Sequence, residues 1–250
     1  VIVDLGAVKA AATPELVRCA VAAAANARDL LGDAEWLSAG VRNARAYALS
    51  ALAVEEAGKA LSLAALAVMP ENLRAQAPVG RMLEWHQLKL VGGIMIGAMP
   101  FGGRALPAQL AAMAPSQLAA MMDNAQLLAD DVDRLKQRGL YADIDPDGQI
   151  RIPSEVTEAD AAAQLARARQ AVSAASLLLD PGMPAELADP PAESVELARA
   201  LVRAFAEAGH SRTPEAAAGV VLNAVRKLQN QIAAQDAKNH SDGTAEDDHL

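Results

Sequence analysis

Glu55, Glu56 and Lys59 are the only charged residues between Tyr47 and Met69, in the stretch YALSALAVEEAGKALSLAALAVM. Glu55 stands four residues before Lys59, the favourable acid-before-base order on a helix, and Glu56 stands three before it, so all three can share one face. An exposed helix would spread such charges along a polar stripe. Here the neighbours are Ala, Leu and Val, which sets at least part of the cluster in low dielectric, where charges are paired or put to chemical use. Two uses stand open: a buried ion pair that ties the helix to its neighbours, and a functional polar centre with shifted pKa values. The stretch is long enough to span a membrane, but three charges at mid-span are costly and neither flank carries a basic anchor or an aromatic belt. No membrane contact is expected.

The elements that must position this cluster follow from composition and punctuation. The chain has 250 residues, a formal charge of −9 and only 2% aromatic residues. Its long segments are built from Ala, Leu, Glu, Arg and Gln, the vocabulary of helices, so an all-α fold is expected. Such a charge excludes a protein that coats nucleic acid through its overall field; an RNA contact would be focal, and DNA is not an expected partner. The lone Cys19 lies in an apolar helical pattern and is expected as a buried thiol, suited to the cytoplasm. The amino end, with Asp4 and a short apolar patch, is unlike a secretory signal. No Cys/His cluster indicates zinc and no Gly-rich loop ending in Lys-Ser/Thr indicates a nucleotide. Of the paired Glu-x-x-His motifs a di-iron bundle needs on its helices, only Glu207 to His210 is present outside the polar tail. Neither a metal nor a cofactor is expected.

Thr13-Pro14-Glu15 predicts a helix start and Gly40 its end, after about Trp36 or Leu37. A second helix, about Val41 to Met69, stops at Pro70, and the short connection makes the two an antiparallel hairpin. A helix carrying His86 and Lys89 passes into a Gly-rich stretch from Val91 to Gly103. Another runs from Pro115, with Lys136, Arg138 and Gly139 as last-turn and cap residues. Asp-Pro-Asp-Gly at 145–148 predicts a short β-hairpin near 140–152, and Thr157 with Asp160 a capped helix to about Leu179. A Pro-rich linker, two further helices (about 192–208 and 213–238) and a polar, disordered tail over 239–250 complete the chain. The domain reading is a helical domain over 13–180 with a helical extension over 190–238. Gly58 in mid-helix points to close approach by another backbone, and Trp36 and Trp85 to core or interface anchors.

NARDLLGDAEWL, a Gly-punctuated turn, ARAYALSALAVEEAGKAL, HQLK, and LKQRGLYADID followed by IPSEV occur in an order that resembles the AbiV family of bacterial abortive-infection proteins, grouped with the HEPN superfamily. The likeness covers about residues 20–175. Its most specific pieces are Glu55-Glu56-x-Gly58-Lys59 and Gly139-Leu140-Tyr141-x-Asp143. It implies a HEPN-like helical bundle: a cytoplasmic antiviral effector that arrests growth of the infected cell by interfering with translation. Many HEPN proteins are homodimeric, metal-independent ribonucleases with an Arg-x4-6-His motif. Arg81 to His86 fits that motif here, as does Arg203 to His210.

RNA cleavage without a metal needs a base of near-neutral pKa for the 2′-hydroxyl proton and cations for the pentavalent phosphate. His86 can be that base, and Lys89, three residues on, can contact phosphate. Arg81 lies about 140° from His86 on a regular helix and converges only if Gly80 and Arg81 form an irregular start. The other reading of His86 is a half-buried imidazole bonded to Glu55 or Glu56. Under both, Glu55, Glu56, Lys59, His86 and Lys89 are expected to meet inside the bundle, with Tyr141 packing its ring on it. The rival function is a non-catalytic helical module that captures a phage or host protein.

Overall fold

A computed structural model of the chain describes residues 10–69, 71–74, 114–144 and 148–190, with the isolated positions 223 and 230. Its helices are α1 (Thr13–Ala39), α2 (Asn43–Ala67), the single turn α3 (Glu71–Arg74), α4 (Pro115–Leu140), α5 (Glu158–Ser176) and the short α6 (Met183–Ala188). Strands β1 (Asp143–Ile144) and β2 (Ile150–Arg151) lie between α4 and α5, and short 3-10 turns occupy Pro153–Glu155 and Leu177–Leu179. The chain divides into two compact units, Val1–Phe101 with Met121–Pro190, and Gly102–Ala120 with Pro191–Leu250. All contacts discussed below belong to the first. The all-α fold is as expected.

α2 is apolar on almost every side and is accordingly the central helix, buried along most of its length. It packs against α1 and α5, which also touch each other. The facing surfaces are dominated by small side chains, Ala20, Ala23, Ala24 and Ala27 on α1 and Ala51, Ala53, Ala57, Ala60 and Ala64 on α2. Small residues at the contact let helix axes approach closely. Leu16, Val17, Leu63, Leu66, Val172 and Leu178 supply the larger apolar volumes of the same cluster.

The helix ends differ in detail from expectation. Glu15 accepts from the Ala12 N–H at 3.2 Å, which satisfies one of the free amides at the start of α1. Thr13 is not the cap: it is the first helical residue, and its hydroxyl is taken by Arg74. Gly40 ends α1 with an ordinary φ of −85°, and the left-handed residue of the connection is Val41, at φ 56°. A β-branched residue there is strained backbone.

Gly139 is a helical residue rather than a cap. A Cβ built on it would stand 2.6 Å from the Ala44 carbonyl oxygen, so the end of α4 lies directly against the backbone of α2. Gly139→Ala is expected to lower the unfolding free energy by about 1–2 kcal/mol, because the steric push exceeds the helix-propensity gain of alanine. Urea denaturation checks this; an alanine variant as stable as the wild type would refute the close contact. Gly58 is buried, and its carbonyl accepts from the Ser62 hydroxyl at 2.8 Å.

The hairpin is present, antiparallel, with Asp143 opposite Arg151 and Ile144 opposite Ile150, and Gly148 at φ 77°. The α5 start is the expected reciprocal cap: the Thr157 N–H donates to Asp160 Oδ2 at 3.0 Å and the Asp160 N–H donates to Thr157 Oγ1 at 3.1 Å. The Thr157 hydroxyl, donating to Asp160 Oδ2 at 2.6 Å, and the Thr157 N–H hold the Asp160 carboxyl below its ordinary range. The helix expected to about Leu179 ends as a 3-10 turn, and the Pro-rich linker after it contains α6. Cys19 is exposed, not buried. Trp36 is 77% exposed and anchors no core, because it projects from the outer side of α1 while Ala27 and Ala34 face inward. Trp85, the Gly-rich stretch, the C-terminal helices and the tail lie outside the described residues.

Candidate functional site

The charged cluster of α2 separates into two pairs. Glu55 turns inward and accepts from Lys136 of α4, Nζ to Oε1 at 2.5 Å, with both side chains 4% exposed. Lys59 instead pairs with its neighbour Glu56 at 3.3 Å, at the half-buried rim. Expectation and structure part here for a physical reason. Glu55 and Glu56 are about 100° apart on the helix, so only one of them can point into the core. The inward carboxylate needs a cation that is also inside, and Lys59 leans to the surface.

Lys136 has a second partner, Asp133 Oδ1, at 2.7 Å one turn earlier on α4. Burial pulls the Lys136 pKa down, but the hydrogen bonds to Asp133 and Glu55 and their charges outweigh it and leave it above the ordinary lysine value. The residue is a cation at neutral pH. The sequence reading places Lys136 in the last turn of the helix and gives it no buried role. The signal that would have placed it inside is its phase: Ala125, Ala129, Val132, Lys136 and Gly139 recur at helical spacing and are all buried.

A second polar group sits where α2 faces α5. Tyr47 is 2% exposed, and Ser50 donates to its carbonyl oxygen at 2.8 Å. Gln164 is fully buried; its Oε1 accepts from Arg167 Nη1 at 3.0 Å, while its Nε2 has no partner among the described residues. Burial pushes the Tyr47 phenol up to about 12, opposed by the Arg167 charge and helped by Asp160 and Asp131.

Both Tyr47 and Lys136 hold their protons more tightly in the folded state, so the unfolded chain releases them first as pH rises and stability falls through the alkaline range. Tyr47 alone is expected to contribute a loss of about 1–2 kcal/mol by pH near 12, discounted for residual hydration. Urea midpoints followed from about pH 8 to about pH 11.5 should decline in the wild type and decline less in Tyr47→Phe. Parallel declines would refute the role given to Tyr47.

Tyr141, expected on the network, is 60% exposed beyond the end of α4 and takes no part in it. Arg81, His86 and Lys89 lie outside the described residues. Arg74, which no pattern singled out, is 5% exposed and bonded by every nitrogen: Nε donates to the Met69 carbonyl at 2.8 Å, Nη1 to Ala11 at 2.9 Å, and Nη2 to the Ala67 carbonyl at 3.3 Å and to Thr13 Oγ1. Among the described residues no three His, Cys, Asp or Glu side chains gather to hold a metal ion, and no described helix is long and apolar enough to cross a membrane.

A family model described as AbiV, of the HEPN group, matches residues 15–173, well over half of the chain. The chain belongs to the AbiV family. The matched span holds α1, α2, the Glu55–Lys136 pair, the hairpin and most of α5, so the AbiV region and the described bundle largely coincide. The family suggests an abortive-infection, phage-defence role. No curated protein and no solved structure matches this AbiV chain.

Proposed function

We propose that this AbiV protein arrests growth of phage-infected bacteria from within the cytoplasm by cleaving RNA without a metal, as a homodimer. The observation that carries the reading is the AbiV match, whose span includes Arg81, His86 and Lys89 as well as the buried Glu55–Lys136 pair. In this reading the His86 imidazole takes the 2′-hydroxyl proton, the 2′ oxygen attacks the adjacent phosphorus, and the 5′ oxygen leaves, taking up a proton from water. Arg81 and Lys89 balance the charge that builds on the phosphate oxygens. The products carry 2′,3′-cyclic phosphate and 5′-hydroxyl ends. The bundle's own ion pair has no chemical role in this reading: Lys136 is already committed to Glu55 and Asp133.

A second reading has its own support. Trp36 at 77%, Ile150 at 69% and Tyr141 at 60% exposure put large apolar side chains on the surface, which suits capture of a phage or host protein. One experiment separates the two. Wild type and His86→Ala, matched for helicity and mass in solution, are incubated with total bacterial RNA in excess EDTA, and growth arrest is scored in cells. Cleavage and arrest by the wild type alone support the nuclease. Arrest by both, with intact RNA, rejects catalysis and favours capture.

A further inference from the structure

We propose that the Met121–Leu140 part of α4 is a detachable arm, built to undock from α2 while α1, α2 and α5 stay together. What holds this arm differs in kind from what holds the other helices. α1, α2 and α5 share Leu16, Val17, Val54, Leu63, Leu66 and Val172, whereas the described residues of α4 contribute Ala129 and Val132 to the buried apolar cluster and the partly buried Leu128 against it. Among the described residues of α4, a buried charge contact to α2 accompanies them, the Lys136–Glu55 pair. At its end Gly139 meets the backbone of Ala44 with no side chain to interlock.

Separating an apolar contact exposes area to water and is opposed in full. Separating a buried ion pair returns both charges to water, and the recovered hydration offsets much of the attraction that is lost. Each charge also has an opposite charge at pairing spacing on its own helix. Asp133 already stands 2.7 Å from Lys136. Lys59, now 3.3 Å from Glu56, lies one turn beyond Glu55 at the spacing where glutamate and lysine pair on a single helix. Undocking is therefore a partner exchange, Glu55 passing from Lys136 to Lys59 as Lys136 keeps Asp133. The inference concerns opening of the bundle and stands apart from the nuclease reading.

Native-state amide exchange on the full-length protein tests it without RNA. In the wild type, amides over 125–139 are expected to exchange through an opening at least about tenfold more frequent than that of the buried amides of α1, α2 and α5. Glu55→Leu with Lys136→Met replaces the pair by apolar side chains and is expected to slow α4 exchange at least about tenfold relative to α1 in the same protein. Glu55→Gln with Lys136→Met serves as the second variant should the first lose helicity. Exchange of α4 amides only together with those of α1 and α2 in the wild type overturns the proposal. So does an unchanged α4-to-α1 ratio in a folded double variant.

Discussion

Lys136→Met is expected to lower the unfolding free energy by roughly 3–5 kcal/mol, a large share of the stability of a domain this size. The substitution keeps the length and apolar stem of the side chain, so the loss is electrostatic. It removes the cation that faces Glu55 at 2.5 Å from a carboxylate that is 4% exposed. Taking that cation from a buried charge costs free energy. Lys59→Met is the control. Its pair with Glu56 is half-buried, with Lys59 35% and Glu56 22% exposed, and its loss is expected to stay below about 1 kcal/mol. Urea denaturation of both variants decides the matter: a Lys136→Met cost no larger than that of Lys59→Met would mean that the pair does not hold α4 to α2. Growth arrest lost in Lys136→Met would accordingly report a lost fold, not a lost catalytic group.

Arg74→Met should cost about 2–4 kcal/mol. Arg74 gathers four acceptors from two separate stretches of the chain. Ala67 and Met69 present carbonyls at the end of α2, where the last turn of a helix has no intrahelical donors for them. Ala11 and Thr13 present a carbonyl and a hydroxyl at the start of α1. One guanidinium thus caps one helix and pins the beginning of another. Burial lowers its pKa, opposed by Glu71, but an arginine remains charged throughout the working range, so the clasp does not switch with pH. Lysine lacks the planar fork and should restore only part of the loss, with Thr13→Val costing about 1 kcal/mol. Hydrogen exchange at the first turn of α1 is the sensitive readout. If that turn is as protected in Arg74→Met as in the wild type, the clasp is incidental.

These two residues also show where sequence patterns stop. The helices α1, α2 and α5, the hairpin and the α5 cap all follow from signals a few residues long: Pro14 with Glu15, the uninterrupted apolar run of α2, Asp-Pro-Asp-Gly, and Thr157 with Asp160. Local interactions cause those features, so local sequence reveals them. The Glu55-Glu56-x-x-Lys59 cluster was likewise visible as charge in an apolar setting. Its pairing was not. Spacing along one helix favours Glu55 with Lys59, but it is blind to a lysine 81 positions away in the chain. The same limit explains Gly139, whose absent side chain is set by a carbonyl of another helix, and Cys19 and Trp36, which lie on the outer face of α1 despite their apolar character.

By itself, then, the sequence determined that the chain is helical, where the long helices α1, α2, α4 and α5 begin and end to within a few residues, and, through the ordered motifs of the AbiV resemblance, to which family it belongs. Tertiary structure alone decided which carboxylate turns inward, that Lys136 meets it, and that Arg74 joins two helix ends. The physical reason is the range of the forces concerned. Capping, turn geometry and helical periodicity act over one or two turns, whereas a buried charge selects its partner from whatever cation packing brings within hydrogen-bond distance, and that choice is made only when the helices come together.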